Sequence, residues 1–281
     1  MRVVVHLSDI HFGRLDPTTV EPLSAAISQL QPDLLAVSGD LTQRARRSEF
    51  AAARRFLEGL PFRQLVVPGN HDVPLYNVFT RFFTPLARYR HAITSDLAPM
   101  YQDEEMIAVG VNTARSWTWG EGRINRGQVG EVVQRLSSVP SGLIRVVVTH
   151  HPFDLPEGVR EKRLLGRAAM AMTELTAAGA DLFLAGHLHI SHIGHTAERY
   201  DIGDRSALVV QAGTVSTRSR GEQPSFNVLR IERPHISVER FVWSAAASAF
   251  EATAARRFRH TDRGWSPDTP RLEDSGSEIQ R

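Results

Sequence analysis

At 281 residues, with 42% hydrophobic side chains and no apolar run near membrane-spanning length, the chain reads as a soluble globular protein able to bury a large core. A formal net charge of +2 gives no argument for a polyanionic partner, and the absence of cysteine excludes disulfides, thiolate nucleophiles and sulfur-ligated metals, leaving His, Asp, Asn and Glu as possible ligands. Of the 33 basic residues only Lys162 is a lysine, which argues against lysine chemistry.

The chain enters an apolar strand at once, with no basic start ahead of a long apolar stretch, so a cytoplasmic location is expected. That first strand, Val3-Val4-Val5-His6-Leu7, runs into Asp9-Ile10-His11. Val20, Leu23, Ile27 and Leu30 then recur at three- and four-residue steps and predict a helix packed on a sheet. A second strand, Leu34 to Val37, ends at Gly39-Asp40. Ser48 is the expected cap of a helix that runs to about Glu58 and is stopped by Gly59. Leu65-Val66-Val67 forms a third strand, and Pro68-Gly69 turns it into Asn70-His71-Asp72. Parallel strands joined by crossover helices gather ligands beyond their carboxyl ends.

The segment from Val73 to Asp103 breaks this rhythm with interleaved aromatics and arginines, and is expected as a helical, cap-like insertion standing over the site, its aromatics mostly serving the core. Met106 to Val111 restarts the sheet, a loop over 112–125 carries Trp117 and Trp119, and a helix follows from about Gly127 to Ser137. The strand Ile144 to Val148 leads into His150-His151, and after a helix around Ala168 to Ala178 the strand Leu182 to Leu184 leads into Gly186-His187-Leu188-His189. Ala207 to Gln211, Phe226 to Ile231 and Ile236 to Val242 are expected as antiparallel strands closing a second sheet. Residues 1–250 thus read as one catalytic domain, and 251–281 as a polar, mobile tail.

Five strand ends carry metal-competent side chains. Two divalent ions placed about 3.5–4 Å apart for phosphoryl chemistry must share a ligand. Asp40, alone at its strand end, suits that bridge; Asp9 and His11, two apart on an extended segment, reach one ion, and Asn70 offers a neutral oxygen to the other. His187 and His189 have the same spacing, which points both imidazoles to one side. A ligand set of His, Asp and Asn without thiolate suits two transition or divalent ions: manganese, iron or zinc.

Asp-x-His, Gly-Asp, Gly-Asn-His-Asp, a separate His and Gly-His-x-His, in this order across residues 3–215, resemble the calcineurin-like metallophosphoesterases. Their arrangement is most similar to that of the bacterial cyclic-nucleotide and glycerophosphodiester phosphodiesterases. The resemblance implies an α/β fold, a four-layer αββα sandwich of two mixed sheets flanked by helices, and a dinuclear metal-dependent hydrolase. It implies Asp9, His11, Asp40 and His189 around one metal, and Asp40, Asn70, His150 and His187 around the other. His150 is favoured over His151 because the family's ligand directly follows its strand. The resemblance also makes His71 the histidine that protonates the leaving oxygen or binds a phosphoryl oxygen, with Asp72 orienting its ring. His192 and His195 match no ligand position and are read as rim or structural residues, and His6 as a core histidine.

The implied reaction is attack on phosphorus by a hydroxide bridging the two metals. Two divalent ions held by Asp9 and Asp40 leave a site whose residual positive charge suits a singly charged diester, so the expected substrate is a cyclic nucleotide or a small glycerophosphodiester. A phosphomonoesterase or a nuclease on the same site and a non-catalytic scaffold are the rival readings. Nucleic acid is not the favoured partner, and the sequence leaves the oligomeric state open.

Overall fold

The computed structural model of the chain describes residues 1–268 apart from 119, 201, 203 and 204. It opens with two successive βαβ units: β1 (Arg2–Leu7), α1 (Pro17–Leu30), β2 (Leu34–Ser38), α2 (Arg47–Glu58) and β3 (Gln64–Val67), the three strands parallel. α1 starts ahead of the apolar spacing, because Asp16 accepts the Thr18 N–H at 2.9 Å and Pro17 fits a first helical turn. Ser48 does not cap α2. It lies inside the first turn, where Glu49 reaches back to accept the Arg46 N–H at 3.1 Å.

After a tight turn at Asn70–Asp72 come α3 (Val78–Phe83), α4 (Ala87–Ala92), β4 (Met100–Gln102) and β5 (Met106–Val111). The insertion is therefore helical only in part, since β4 pairs antiparallel with β5 as a sheet edge. Of its aromatics, Tyr89 is fully buried and donates its hydroxyl to Val66 O at 3.0 Å, whereas Tyr76, Phe79 and Phe83 are largely exposed. The reason is local: the residue α3 turns inward is Arg81, whose guanidinium donates to Pro74 O and Thr118 O, so the rings beside it face out.

The second half contributes α5 (Arg126–Ser137), β6 (Ile144–Thr149), α6 (Ala168–Ala177), β7 (Leu182–Ala185), β8 (His192–His195) and β9 (Leu208–Gln211), and builds the sheet β4-β5-β6-β7-β9-β8. The chain then returns to the first sheet with β10 (Ser225–Glu232), β11 (His235–Ser244), β12 (Ala249–Ala252), β13 (Arg256–Thr261) and β14 (Gly264–Pro267). The three late runs expected to close one antiparallel sheet divide between two: β9 lies parallel to β7, while β10 pairs antiparallel with β1 and β11 extends it.

Alternation along the strands sets the layers. In β2, Leu34 and Ala36 face the opposite sheet with Val146, Val148, Leu182 and Leu184, while Leu35 and Val37 face α1 and α2 through Leu23, Ile27, Phe50 and Phe56. Val147, Phe183 and Val209 on the far face of the second sheet pack on Val129, Val132, Met172 and Leu175 of α5 and α6. The result is the expected four-layer αββα sandwich.

The described part of the expected tail is not loose. β13 and β14 form a hairpin on the edge of the first sheet, with Phe258 and Trp265 buried between the sheets and the Trp265 indole N–H donating to Asp181 Oδ1 at 3.0 Å. Three arginines around Phe258 hide the strand pattern: Arg257 and Arg259 point to solvent from the outer face, and Arg256 lies over the Phe258 ring at 5.5 Å. Residues 269–281 lie outside the described residues. Replacing Trp265 by alanine empties a core position, and the expected loss is about 3–5 kcal/mol of unfolding free energy. Denaturant unfolding of the variant checks this, and an unchanged midpoint would mean the hairpin is not docked.

Candidate metal centre

The polar residues singled out in the sequence all follow strands of one or other sheet. Asp9 and His11 follow β1, Asp40 follows β2, Asn70 and His71 follow β3, His150 follows β6, and His187 and His189 follow β7. Both sheets present these carboxyl ends to the same place. His187 N donates to Asp9 Oδ2 at 2.8 Å, and Asn70 Oδ1 lies 3.1 Å from His150 Nε2 and 3.0 Å from His187 Nδ1.

The backbone here is unusual. Asp9, His11, Asp40, His187 and His189 all have φ between 50° and 72°, so they do not sit on extended segments as the two-residue spacing suggested. Left-handed conformations cost non-glycine residues about 1–3 kcal/mol and persist where the surroundings hold them. Here the hold is close backbone approach. A Cβ at Gly69 would lie 2.1 Å from Asp40 Oδ1, and one at Gly186 would lie 1.7 Å from Ser8 Oγ and 2.5 Å from Asp9 Oδ2.

Each buried carboxylate is anchored by one oxygen and leaves the other facing imidazoles. Asp9 Oδ2 accepts from Ser8 Oγ at 2.7 Å and His187 N at 2.8 Å, while Oδ1 has no donor and lies 3.0 Å from His189 Nε2 and 3.5 Å from His11 Nε2. Asp40 Oδ1 accepts the His71 N–H at 2.8 Å, and Oδ2 lies 3.4 Å from His150 Nε2 and 3.7 Å from His11 Nε2.

The imidazoles are turned by main-chain carbonyls. His11 Nδ1 sits 3.3 Å from Thr42 O, His189 Nδ1 2.7 Å from Arg218 O and His150 Nδ1 2.8 Å from Ser38 O. A ring that donates from Nδ1 to a carbonyl leaves an unprotonated Nε2. His11 Nε2 and His189 Nε2 then face one another at 3.1 Å beside Asp9 Oδ1, with only Arg218 Nη1, 3.3 Å from His11 Nε2, as a neighbouring donor among the described residues. Such a cluster of lone pairs fits a cation. The side chains that offer ligand atoms within 4.8 Å of one another fall into two groups, Asp9, His11, Asp40 and His189, and His150, His151 and His187.

The charges agree with that fit. Burial pushes Asp9 and Asp40 up, yet the neighbouring imidazoles, His189 and His11 for Asp9, His150 and His71 for Asp40, hold both below the usual carboxylate range. Burial also opposes charge on His150, but the Asp40 carboxylate outweighs it and raises this imidazole to about 9. His187, buried and beside His150, falls to about 3.

His71 lies at the edge of the cluster, its ring edge-on to His11 at 4.9 Å between centroids. Its Nδ1 is 2.8 Å from Gln43 O and its Nε2 3.0 Å from Arg218 Nη1. Asp72 does not orient this ring. Its carboxylate accepts from the N–H groups of Gly69, Leu41 and Thr42 and from Thr42 Oγ1, at 2.9–3.2 Å, and so ties the turn after β3 to the loop after β2. Burial and the Asp40 charge push Asp72 up to about 7 against these donors. His151 directs Nδ1 to Thr113 Oγ1 at 2.8 Å and packs its ring 4.6 Å from that of His187.

His6 is a core histidine on Ser38 Oγ at 2.8 Å, lowered to about 3 by burial. His192 meets Asp154 at 3.2 Å, away from the cluster, where Asp154 also holds Arg199. Arg218 escapes the sequence reading: it is one arginine among many, in a loop without a motif, and only the fold brings its Nη1 within 3.3 Å of His11 Nε2.

The family model described as calcineurin-like phosphoesterase matches residues 2–191. Over 83 residues the chain is 34% identical to a glycerophosphodiester phosphodiesterase, GpdQ, of Enterobacter lignolyticus, a match that spans 25% of this chain and 29% of the relative. Among solved structures, a dimetal phosphatase from Danio rerio aligns with a TM-score of 0.64 at 11% identity, covering 92% of this chain and 99% of that one. A purple acid phosphatase from yellow lupin seeds also aligns at 0.64, with 10% identity over 91% of this chain and 53% of the other. At these identities the structural likenesses establish the fold.

Gly69→Ala tests whether close backbone approach sets the centre, because the added Cβ would also lie 2.4 Å from Asp40 N. The expected outcome is a folded protein that retains fewer ions per chain, measured by elemental analysis alongside circular dichroism. Full metal content would show that the approach is dispensable.

Proposed function

The chain belongs to the calcineurin-like phosphoesterase family, and from that premise we propose that it is a dinuclear metal-dependent phosphodiesterase acting on a cyclic nucleotide or a small glycerophosphodiester. The observation that carries this reading is the set of buried carboxylate oxygens and imidazole nitrogens that face one another, Asp9 Oδ1 among them without a donor. Asp9, His11, Asp40 and His189 would hold one ion, and Asp40, Asn70, His150 and His187 the other. Asn70 is placed in the second set because its Oδ1 faces the His150 and His187 nitrogens at 3.0–3.1 Å; His151, whose Nε2 is buried without a partner, stands behind them. Two divalent ions bound there supply Lewis-acid polarisation of the phosphoryl group and water made nucleophilic near neutral pH.

The chain's own groups divide the remaining work. The carbonyls of Thr42, Ser38 and Arg218 turn three imidazoles so that each Nε2 faces the carboxylates. Arg218, half-buried at the edge of the cluster, presents cationic donors suited to phosphoryl oxygens. His71, turned by Gln43 O and facing Arg218, is placed to bind a phosphoryl oxygen or to protonate the departing oxygen once substrate draws Arg218 away and the ring takes up a solvent proton at Nε2. The diester preference draws support from the glycerophosphodiester phosphodiesterase to which part of the chain is similar.

Chelated protein is expected to lose hydrolysis of a phosphodiester and to recover it with manganese, and Asp40→Ala is expected to retain fewer than two ions per chain. Undiminished turnover by metal-free protein would refute the proposal, and two ions in Asp40→Ala would refute the bridge.

His71→Ala is expected to keep both ions and to lose roughly 10²–10⁴-fold in turnover. Comparing leaving groups tells the roles apart. An alkoxide suffers more than a nitrophenolate if His71 is the acid, and the two suffer alike if it binds a phosphoryl oxygen.

A further inference from the structure

One cleft beside the metal centre has no part in the chemistry above. It encloses about 410 Å³ and is lined by Trp117, Thr118, Gly120, Glu121, Lys162 and Arg163. Its position is fixed by contacts with the centre. A Cβ on Gly122 would lie 2.2 Å from His151 Cγ, so the loop carrying Trp117 rests against His151, and the Gly166 N–H donates to Gly122 O at 2.9 Å, tying the segment after Arg163 to the same loop.

The lining is specific in character. Trp117 is 82% exposed, the largest such value among the described large apolar side chains, and its ring is braced by Phe82 at 4.7 Å between centroids. Lys162, the chain's only lysine, and Arg163 enter no ion pair among the described residues. An indole left bare in water beside two unpaired cations and one carboxylate does not suit an acyl chain, which needs an apolar wall throughout. It suits a flat ring with polar edges and attached negative charge.

We propose that this cleft is a nucleotide subsite: Trp117 stacks on the base, Glu121 accepts from its N–H groups, and Lys162 and Arg163 attract the negative charge of its one phosphate, which the metal centre would hold. The proposal rests on the phosphodiesterase reading and narrows it, because the group esterified to the attacked phosphate would be a single nucleoside, and a volume of about 410 Å³ is in the range of small-ligand sites. Stacking on one aromatic ring is worth roughly 5- to 150-fold in affinity. Glycerol esters offer no ring and gain nothing from it.

The test compares adenosine 5′-monophosphate with glycerol 3-phosphate, by calorimetric titration of the full chain in manganese buffer. The wild type is expected to bind the nucleotide roughly 5- to 150-fold more tightly. Trp117→Ala is expected to remove most of that advantage, Trp117→Phe to restore part of it, and Lys162→Ala with Arg163→Ala to weaken nucleotide binding and flatten its salt dependence. Equal binding of the two ligands, or an advantage that survives Trp117→Ala, overturns the subsite. A single-stranded oligonucleotide bound far more tightly than the mononucleotide overturns the single-nucleotide reading. Hydrolysis assays of the same samples keep the two claims apart: loss of all phosphodiester cleavage counts against the proposed function, while the binding comparison still decides the subsite.

Discussion

Two carboxylates buried side by side govern the rest of this structure. Asp9 and Asp40 are essentially inaccessible to water, and each has given one oxygen to an N–H donor. Their other oxygens face imidazole nitrogens whose protons point elsewhere. An arrangement of acceptors like this is costly unless positive charge enters it, since an unpaired buried ion loses several kcal/mol of hydration. The left-handed backbone at five ligand positions, the glycines that let strands approach, and the carbonyls that turn the histidines are the means by which the fold holds that electrostatic problem in place.

Much of this was legible in the sequence, and what was not has identifiable causes. The strand ends and their polar clusters were visible because apolar runs break sharply at Gly39-Asp40, Gly69-Asn70 and Gly186-His187. The direction of β9 was not, because an alternating run carries no information about which neighbour it pairs with. The hairpin β13–β14 was hidden by arginines on its outer face, which make a half-buried strand resemble a polar tail. Adjacency misled in the case of Asp72: it neighbours His71 in sequence, but the tight turn points its carboxylate back toward Leu41 and Thr42. Arg218 depends on long-range closure alone, since it meets His71 across 147 positions of sequence.

The fold also separates constancy from choice. The candidate ligands follow strands with buried neighbours on both faces, where a small displacement would disturb two packed layers. The exposed rings are of another kind. Tyr76, Phe79 and Trp117 lie on the insertion and the 112–125 loop and are largely open to solvent, so they can vary without disturbing the packed layers. A reaction fixed by the sheets and a selection set by the loops is the division this architecture permits.

The centre draws on both sheets, and that has a consequence for how the chain reaches its native state. Asp9 belongs to the first strand formed at the N-terminus, yet it receives the N–H of His187, 178 positions later. Closing a loop of that length must precede the complete set of candidate ligands, and contacts so far apart in sequence are among the slow events of folding. Partly folded chains hold only one half of the ligand set. Ions bound as proposed would therefore be captured last, and because an ion that binds only the finished form stabilises it by mass action, such a centre would act as a latch that distinguishes completed molecules from nearly completed ones.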